Sequence, residues 1–170
     1  MAAINPTVDR WLQSARNAPE EFWESAANEL PWFRKWDSVF QRDYPSFRWF
    51  LGAQTNLAYN CLDHHVANGR GERTALIYAN ELGERRRFTY RELTAEVERA
   101  SAGLRALGIG KGDRITIYMP ASPEAIIAML ATVRIGAIHS VVFAGFGAGA
   151  LAERIQASGS RLVVTADIGY

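Results

Sequence analysis

The sequence predicts an α/β protein: a helical and irregular, aromatic-rich N-terminal segment, a small strand pair, and then a β-α-β-α-β unit forming a parallel sheet. Three observations lead there. From residue 114 onward, short β-branched runs alternate with stretches of helical period. The links between them are short, which implies right-handed crossovers and parallel strands. The chain also divides in composition. Residues 1–50 hold all five tryptophans and eleven of the nineteen aromatics, and no glycine precedes Gly52.

Taken in order, Pro19-Glu20-Glu21 opens a helix, since proline suits the first turn and acids suit the N-terminal dipole. Asp43-Tyr44-Pro45-Ser46 reads as a turn. The rest of residues 1–50 reads as short helices and irregular chain. Many aromatics with few aliphatics rarely build an independent core, so this segment is expected to lie across another domain and use its tryptophan rings as contact area. Cys61-Leu62-Asp63-His64-His65 reads as helical, with Cys61 and Leu62 partly buried. Thr74–Ala79 and Arg87–Thr89 read as short strands around a polar connection, Asn80–Arg86. Thr89-Tyr90-Arg91-Glu92 fits a capping box, and Leu93, Val97, Ala100, Leu104 and Leu107 follow along one helical face to Gly108. Arg114–Met119 is a strand. Ser122-Pro123-Glu124 starts a helix that runs to Gly136. His139–Phe143 is a strand, Ala150–Ala157 a helix and Leu162–Ala166 a strand. Ligands on such sheets sit beyond the carboxyl ends of the strands. Those ends fall near Met119–Ser122, Phe143–Gly147 and Asp167–Tyr170.

Composition bounds the function class. One hundred and seventy residues hold one domain with a core, or two small ones. The apolar fraction of 48% and charged fraction of 22% exclude wholesale disorder. A net charge of +1 argues against a dedicated nucleic-acid binder. A single cysteine, Cys61, closes no intrachain disulfide and points to a reducing compartment. No secretory signal and no membrane-spanning run is visible, so a cytoplasmic protein without a membrane or nucleic-acid partner is expected.

Few residues stand out for chemistry. Gly145, Gly147 and Ala150 satisfy G-x-G-x-x-G/A after a strand, and Asp167 lies at the end of the next strand. That is the layout of a dinucleotide-binding module for NAD, with a tight turn of small residues as the plainer reading. Cys61, His64, His65 and His139 offer too few ligands at too loose a spacing for a zinc site. Ser122, Ser140 and Ser158 lack a G-x-S-x-G setting. Arg85-Arg86-Arg87 reads as a solvated turn. No catalytic and no metal residue is assigned.

The run Asn56–His65 resembles the N-x-x-x-N-x-L-D-R-H segment of AMP-forming acetyl-CoA synthetases, adenylate-forming enzymes. Thr89–Leu93, Gly112-Asp113-Arg114, Ile117–Pro120, Pro123-Glu124-Ala125, Met129-Leu130-Ala131, Arg134–Phe143 and Ser160–Asp167 are similar to the same family. The resemblance covers nearly the whole chain. It implies an N-terminal region of that family at 1–65 and the start of the large AMP-binding domain at 66–170. It also implies an acetate–CoA ligase chemistry, with propionate as the alternative acid. A carboxylate and ATP give acyl-AMP and pyrophosphate, assisted by Mg2+; coenzyme A then displaces AMP to give acetyl-CoA.

The resemblance reassigns the glycine turn. The family carries Phe-Gly-Gly-Phe-Ser where this chain has Phe143-Ala144-Gly145-Phe146-Gly147, so Gly147 stands at a serine position and Ala144 departs from the pattern. In the family this turn lines the coenzyme A site, which implies Phe143, Ala144 and Gly145 as coenzyme A-binding residues. Family members run to several hundred residues. The phosphate loop, the acyl pocket and the catalytic lysine have no counterpart here, and phosphate-gripping arginines are expected just past Tyr170. The chain is therefore expected to be an N-terminal fragment without turnover of its own and without tight binding of ATP, coenzyme A or Mg2+, which serve the full-length enzyme, with apolar sheet surface exposed and a tendency to self-associate. Two rival readings are the NAD-binding module above and a partner-binding piece built on the aromatic segment.

Overall fold

The computed structural model of the chain describes residues 5–167. Ile168–Tyr170, part of one expected strand end, lie outside the described residues. Contacts divide the chain into two compact units, Met1–Thr55 and Asn56–Tyr170. Within the second unit, Leu62 packs with Leu93 and Val97.

Proline starts both helices of the first unit. In α1 (Pro6–Asn17), Asn5 caps the N-terminus, its side-chain oxygen accepting from the Thr7 amide at 2.9 Å, and Asp9 lies in the first turn. In α2 (Pro19–Asn28), Pro19 is followed by Glu20 and Glu21, as the sequence suggested. Trp32 donates its indole N–H to the Ala27 carbonyl at 2.8 Å, and Trp32, Trp36 and Phe50 gather with ring centroids 5.0–5.7 Å apart. The irregular stretch expected next is instead a hairpin of β1 (Ser38–Asp43) and β2 (Ser46–Leu51) around the Asp43–Ser46 turn, with a cis Tyr44–Pro45 peptide. Cross-strand aromatics hold it: Phe40 meets Trp49 at 4.6 Å and stacks on Phe47 at 6.1 Å.

In the second unit, residues 57–67 wind as a helical segment with a π-helical turn at Tyr59–Asp63, and the chain kinks out of helical geometry at Asn68 and Gly69, Gly69 at φ +72°. Leu62 is fully buried, while Cys61 is exposed, correcting the expectation that both are partly buried. Next comes a hairpin of β3 (Thr74–Ala79) and β4 (Arg85–Thr89). β4 begins two residues earlier than expected, so Arg85-Arg86-Arg87 is strand and not turn; Arg86 pairs with Glu124 and lies over Phe88. α3 (Tyr90–Ala106) opens with the expected capping box at Thr89 and Glu92. Its face buries Leu93 and Val97, but Leu107 is exposed: the helix ends there, and Ile109 takes the inward position after Gly108 turns the chain at φ +78°.

β5 (Arg114–Met119), α4 (Pro123–Arg134), β6 (Ile138–Phe143), α5 (Ala148–Ser158) and β7 (Leu162–Thr165) complete the chain. The sheet is parallel with order β6-β5-β7, as the alternation of elements requires. β5 is therefore central, and its period of two sorts its side chains. Ile115, Ile117 and Met119 pack with Ile109, Ile135 and Ala137 on one face. Thr116 and Tyr118 point to the other, where the Thr116 hydroxyl donates to Ser160 Oγ at 2.8 Å. The chain reaches β6 on one side of β5 and returns to β7 on the other. With right-handed crossovers, α4 and α5 then lie on opposite faces of the sheet. The segment from β6 to α5 must cross the carboxyl end of β5.

Candidate functional site

That crossing segment is Phe143–Gly147. It is a tight turn: the Phe146 amide donates to the Phe143 carbonyl at 3.0 Å. The Tyr118 hydroxyl stands beneath it, 2.8 Å from the Ala144 carbonyl oxygen and 2.7 Å from that of Phe146. Above it the rings of Phe143 and Phe146 meet edge-to-face with centroids 6.0 Å apart, and the Arg154 guanidinium lies 4.4 Å from the Phe146 centroid. Phe143 is 74% exposed, so a large ring is held in water at the end of the sheet.

Gly145 has a local reason to be glycine. A Cβ there would fall 2.5 Å from Phe143 Cε1, so the ring folds over its own turn in the space that the glycine leaves. This argues against the NAD reading. Asp167, the acid that reading needs, lies beyond the end of β7, and a ring resting on Gly145 leaves less room there for a pyrophosphate unless it swings away.

Beside the turn runs an open groove of about 630 Å3, a size that suits a small-molecule arm. Tyr78 and Ala79 of β3, Met119 at the end of β5 and Pro120 after it, Ser122 capping α4 and Ile126 within it, and Phe143 and Ala144 contribute to its walls. No Lys, Arg, Asp or Glu is among the described lining residues. Charge stands just outside: Arg86 bonds Glu124 in the first turn of α4. Burial alone would push the Glu124 carboxyl up, but the Arg86 hydrogen bond and charge outweigh it and hold the group below its ordinary range.

The other residues singled out in the sequence hold structure. Ser122 accepts from the Ala125 amide at 3.2 Å as the cap of α4. Ser158 donates to the Arg154 carbonyl at 2.8 Å, and Ser140 sits opposite Thr116 in the sheet. Among the described residues no three His, Cys, Asp or Glu side chains gather in a way that could hold a metal. His64 contacts Asn68, and His65 packs on Tyr90 with centroids 4.6 Å apart. Although Cys61 is an exposed residue, partial desolvation of its sulfur raises the thiol, which leaves less thiolate for ligation or attack.

The family-like run at 56–65 proves to be a set of ties. Asn56 donates to the Val133 and Arg134 carbonyls at 3.0 and 3.2 Å, satisfying the C-terminal end of α4. Asp63 takes a bidentate pair from Arg134 at 2.6 and 2.9 Å, and Arg134 also reaches Glu98 at 2.9 Å. Tyr118 was not singled out in the sequence. Its strand was legible, but its target depends on where the chain crosses the sheet.

Two families match the chain. Residues 63–169 match the family described as AMP-binding enzyme, and residues 8–61 match the acetyl-coenzyme A synthetase N-terminus. Acetyl-coenzyme A synthetase of Deinococcus radiodurans is 48% identical over 162 residues, 95% of this chain and 25% of that protein. The protein of the same name from Rubrobacter xylanophilus is 50% identical over 88% of this chain and 23% of its own length. 3-Hydroxypropionyl-coenzyme A synthetase of Metallosphaera sedula is 46% identical over 92% of this chain and 24% of its own length. The chain thus spans about a quarter of the length of the curated relatives it matches.

Proposed function

Because the chain belongs to the AMP-binding enzyme family, we propose that it is the N-terminal part of an acetate–CoA ligase and contributes to that enzyme's coenzyme A site. In the proposed reaction acetate and ATP give acetyl-AMP and pyrophosphate, and coenzyme A then gives acetyl-CoA and AMP. Activation is the chemical point: a carboxylate oxygen becomes part of a leaving group before the thiol attacks. The Phe143–Gly145 turn, with its groove at the carboxyl ends of β5 and β6, is the observation that carries the coenzyme A assignment.

The chemistry of the groove fits the uncharged pantetheine arm better than the phosphates. Its walls are apolar with a few hydroxyls, those of Tyr78 and Ser122. Ala144 and Gly145 keep side-chain bulk low along the turn, and Phe143 supplies an exposed ring against which the arm lies. Mg2+ offsets phosphate charge in such reactions, but the described residues provide no fitting donor set, and no step is assigned to it here. We assign residues 1–65 to the synthetase N-terminal region and 66–170 to the beginning of the AMP-binding domain. Acetate is the preferred acid because synthetases of acetate are prominent among the relatives.

The test is an exchange. This chain replaces the matching quarter of the Deinococcus synthetase, and acetate-dependent pyrophosphate release and acetyl-CoA formation are followed. The reading predicts that the folded chimera forms acetyl-CoA while the 170 residues alone release no pyrophosphate. Pyrophosphate release by the isolated chain, or a folded chimera that makes acetyl-AMP yet never the thioester, would contradict it.

A further inference from the structure

We propose that Tyr118 is a positioning residue that sets the shape of the Phe143–Gly147 turn and, through it, the affinity for coenzyme A. The second half of this statement rests on the coenzyme A reading above; the first half does not. β5 is the central strand, so Tyr118 has neighbours on both sides, Val142 of β6 and Thr165 of β7. It is the last residue of β5 on the α5 face, directly under the crossing segment. Its single hydroxyl proton faces two carbonyl oxygens, Ala144 at 2.8 Å and Phe146 at 2.7 Å.

Two carbonyl dipoles converging on one point repel unless a donor stands between them. Tyr118 is that donor. It couples both halves of the turn to the most constrained strand of the sheet. Ala144 is held before the glycine and Phe146 after it, and Phe146 in turn carries the ring contacts to Phe143 and Arg154. Without the hydroxyl, the Phe146 amide bond to the Phe143 carbonyl remains, but nothing beneath fixes the two carbonyls. The expected consequence is a turn that opens more often, with the groove wall at Ala144 displaced.

The experiment uses the 170-residue chain and two variants. Tyr118→Phe removes the hydroxyl under the turn. Thr116→Val removes the other hydroxyl on the same face of β5, whose bond runs away from the turn to Ser160. Amide hydrogen exchange at Phe146 and calorimetric titration with coenzyme A are both read. Tyr118→Phe should speed Phe146 exchange and weaken coenzyme A binding roughly three- to tenfold, the range for one lost hydrogen bond. Thr116→Val should change thermal stability while leaving both readouts as in the parent chain. Unchanged Phe146 exchange in Tyr118→Phe overturns the proposal, as does equal weakening of coenzyme A binding in both variants. A parent chain that takes up no coenzyme A, with Phe146 still released in Tyr118→Phe, overturns the coenzyme A reading and upholds the hold of Tyr118 on the turn.

Discussion

A methyl group at position 145 would have to share space with the Phe143 ring, yet that ring is mostly in water and free to swing. Gly145→Ala should therefore cost little stability, under about 1 kcal/mol, while moving Phe143 off the turn. Loss of the Phe143–Phe146 ring contacts in NMR spectra at a nearly unchanged melting temperature checks this; a preserved edge-to-face pair contradicts it. Titration acts at the same scale. The Arg161 side chain and the Gly110 amide hold the Asp113 carboxyl below its ordinary range, and Thr89 does the same for Glu92. A carboxylate with a depressed folded pKa adds stability that is present above its unfolded value near about 4 and is lost as pH falls through the folded value. Burial, with Arg70 and His64, lowers His65, which adds a shallower loss beginning below about pH 6.5. Melting temperature should fall gently below neutrality and steeply below pH 4, and Asp113→Asn should reduce only the steep part. A melting temperature constant to pH 3 would contradict these assignments.

Elements form here where their signals are local, and are tied where their signals are not. The capping box at Thr89 and Glu92, the Ser122-Pro123 start of α4 and the glycine stop at Gly108 were legible because each needs only a few adjacent residues. Thr89→Ala should cost about 1 kcal/mol in urea denaturation, the usual worth of such a cap; an unchanged midpoint would contradict the cap's role. The β1–β2 hairpin was missed although Ser46–Trp49 alternates polar and aromatic residues, because its stability comes from cross-strand pairs such as Phe40 and Trp49 that no local window contains. The Asp63–Arg134 pair joins elements far apart in sequence and carries no local signature. Arg134→Ala should leave Asp63 partly buried without its bidentate partner, costing about 1–3 kcal/mol and speeding amide exchange in 57–70 more than in α5. Uniform exchange across both segments would contradict the tie.

At the scale of the whole molecule, the parallel sheet has three strands among the described residues, and such sheets are normally covered on both faces and at their edges. On β6, Ile138, Val141 and Phe143 are each at least half exposed. The 18.9 kDa chain should therefore show a scattering mass that rises with concentration, reduced by Ile138→Lys. A constant monomer mass would contradict this. The fold was legible because strand and helix periods alternate cleanly after residue 114. The groove was not, since it exists only once β3, β5, α4 and the turn after β6 come together. No helix among the described residues is long and apolar enough to cross a membrane. The central claim is that the turn at Phe143–Gly145 receives coenzyme A. Titrating isotope-labelled chain with coenzyme A and following backbone amide shifts tests it most directly. The account predicts saturable shifts centred on Phe143, Ala144, Gly145 and Phe146, weakening towards Ser122 along the groove. Absence of shifts at millimolar coenzyme A, or shifts confined to the first unit, would contradict it.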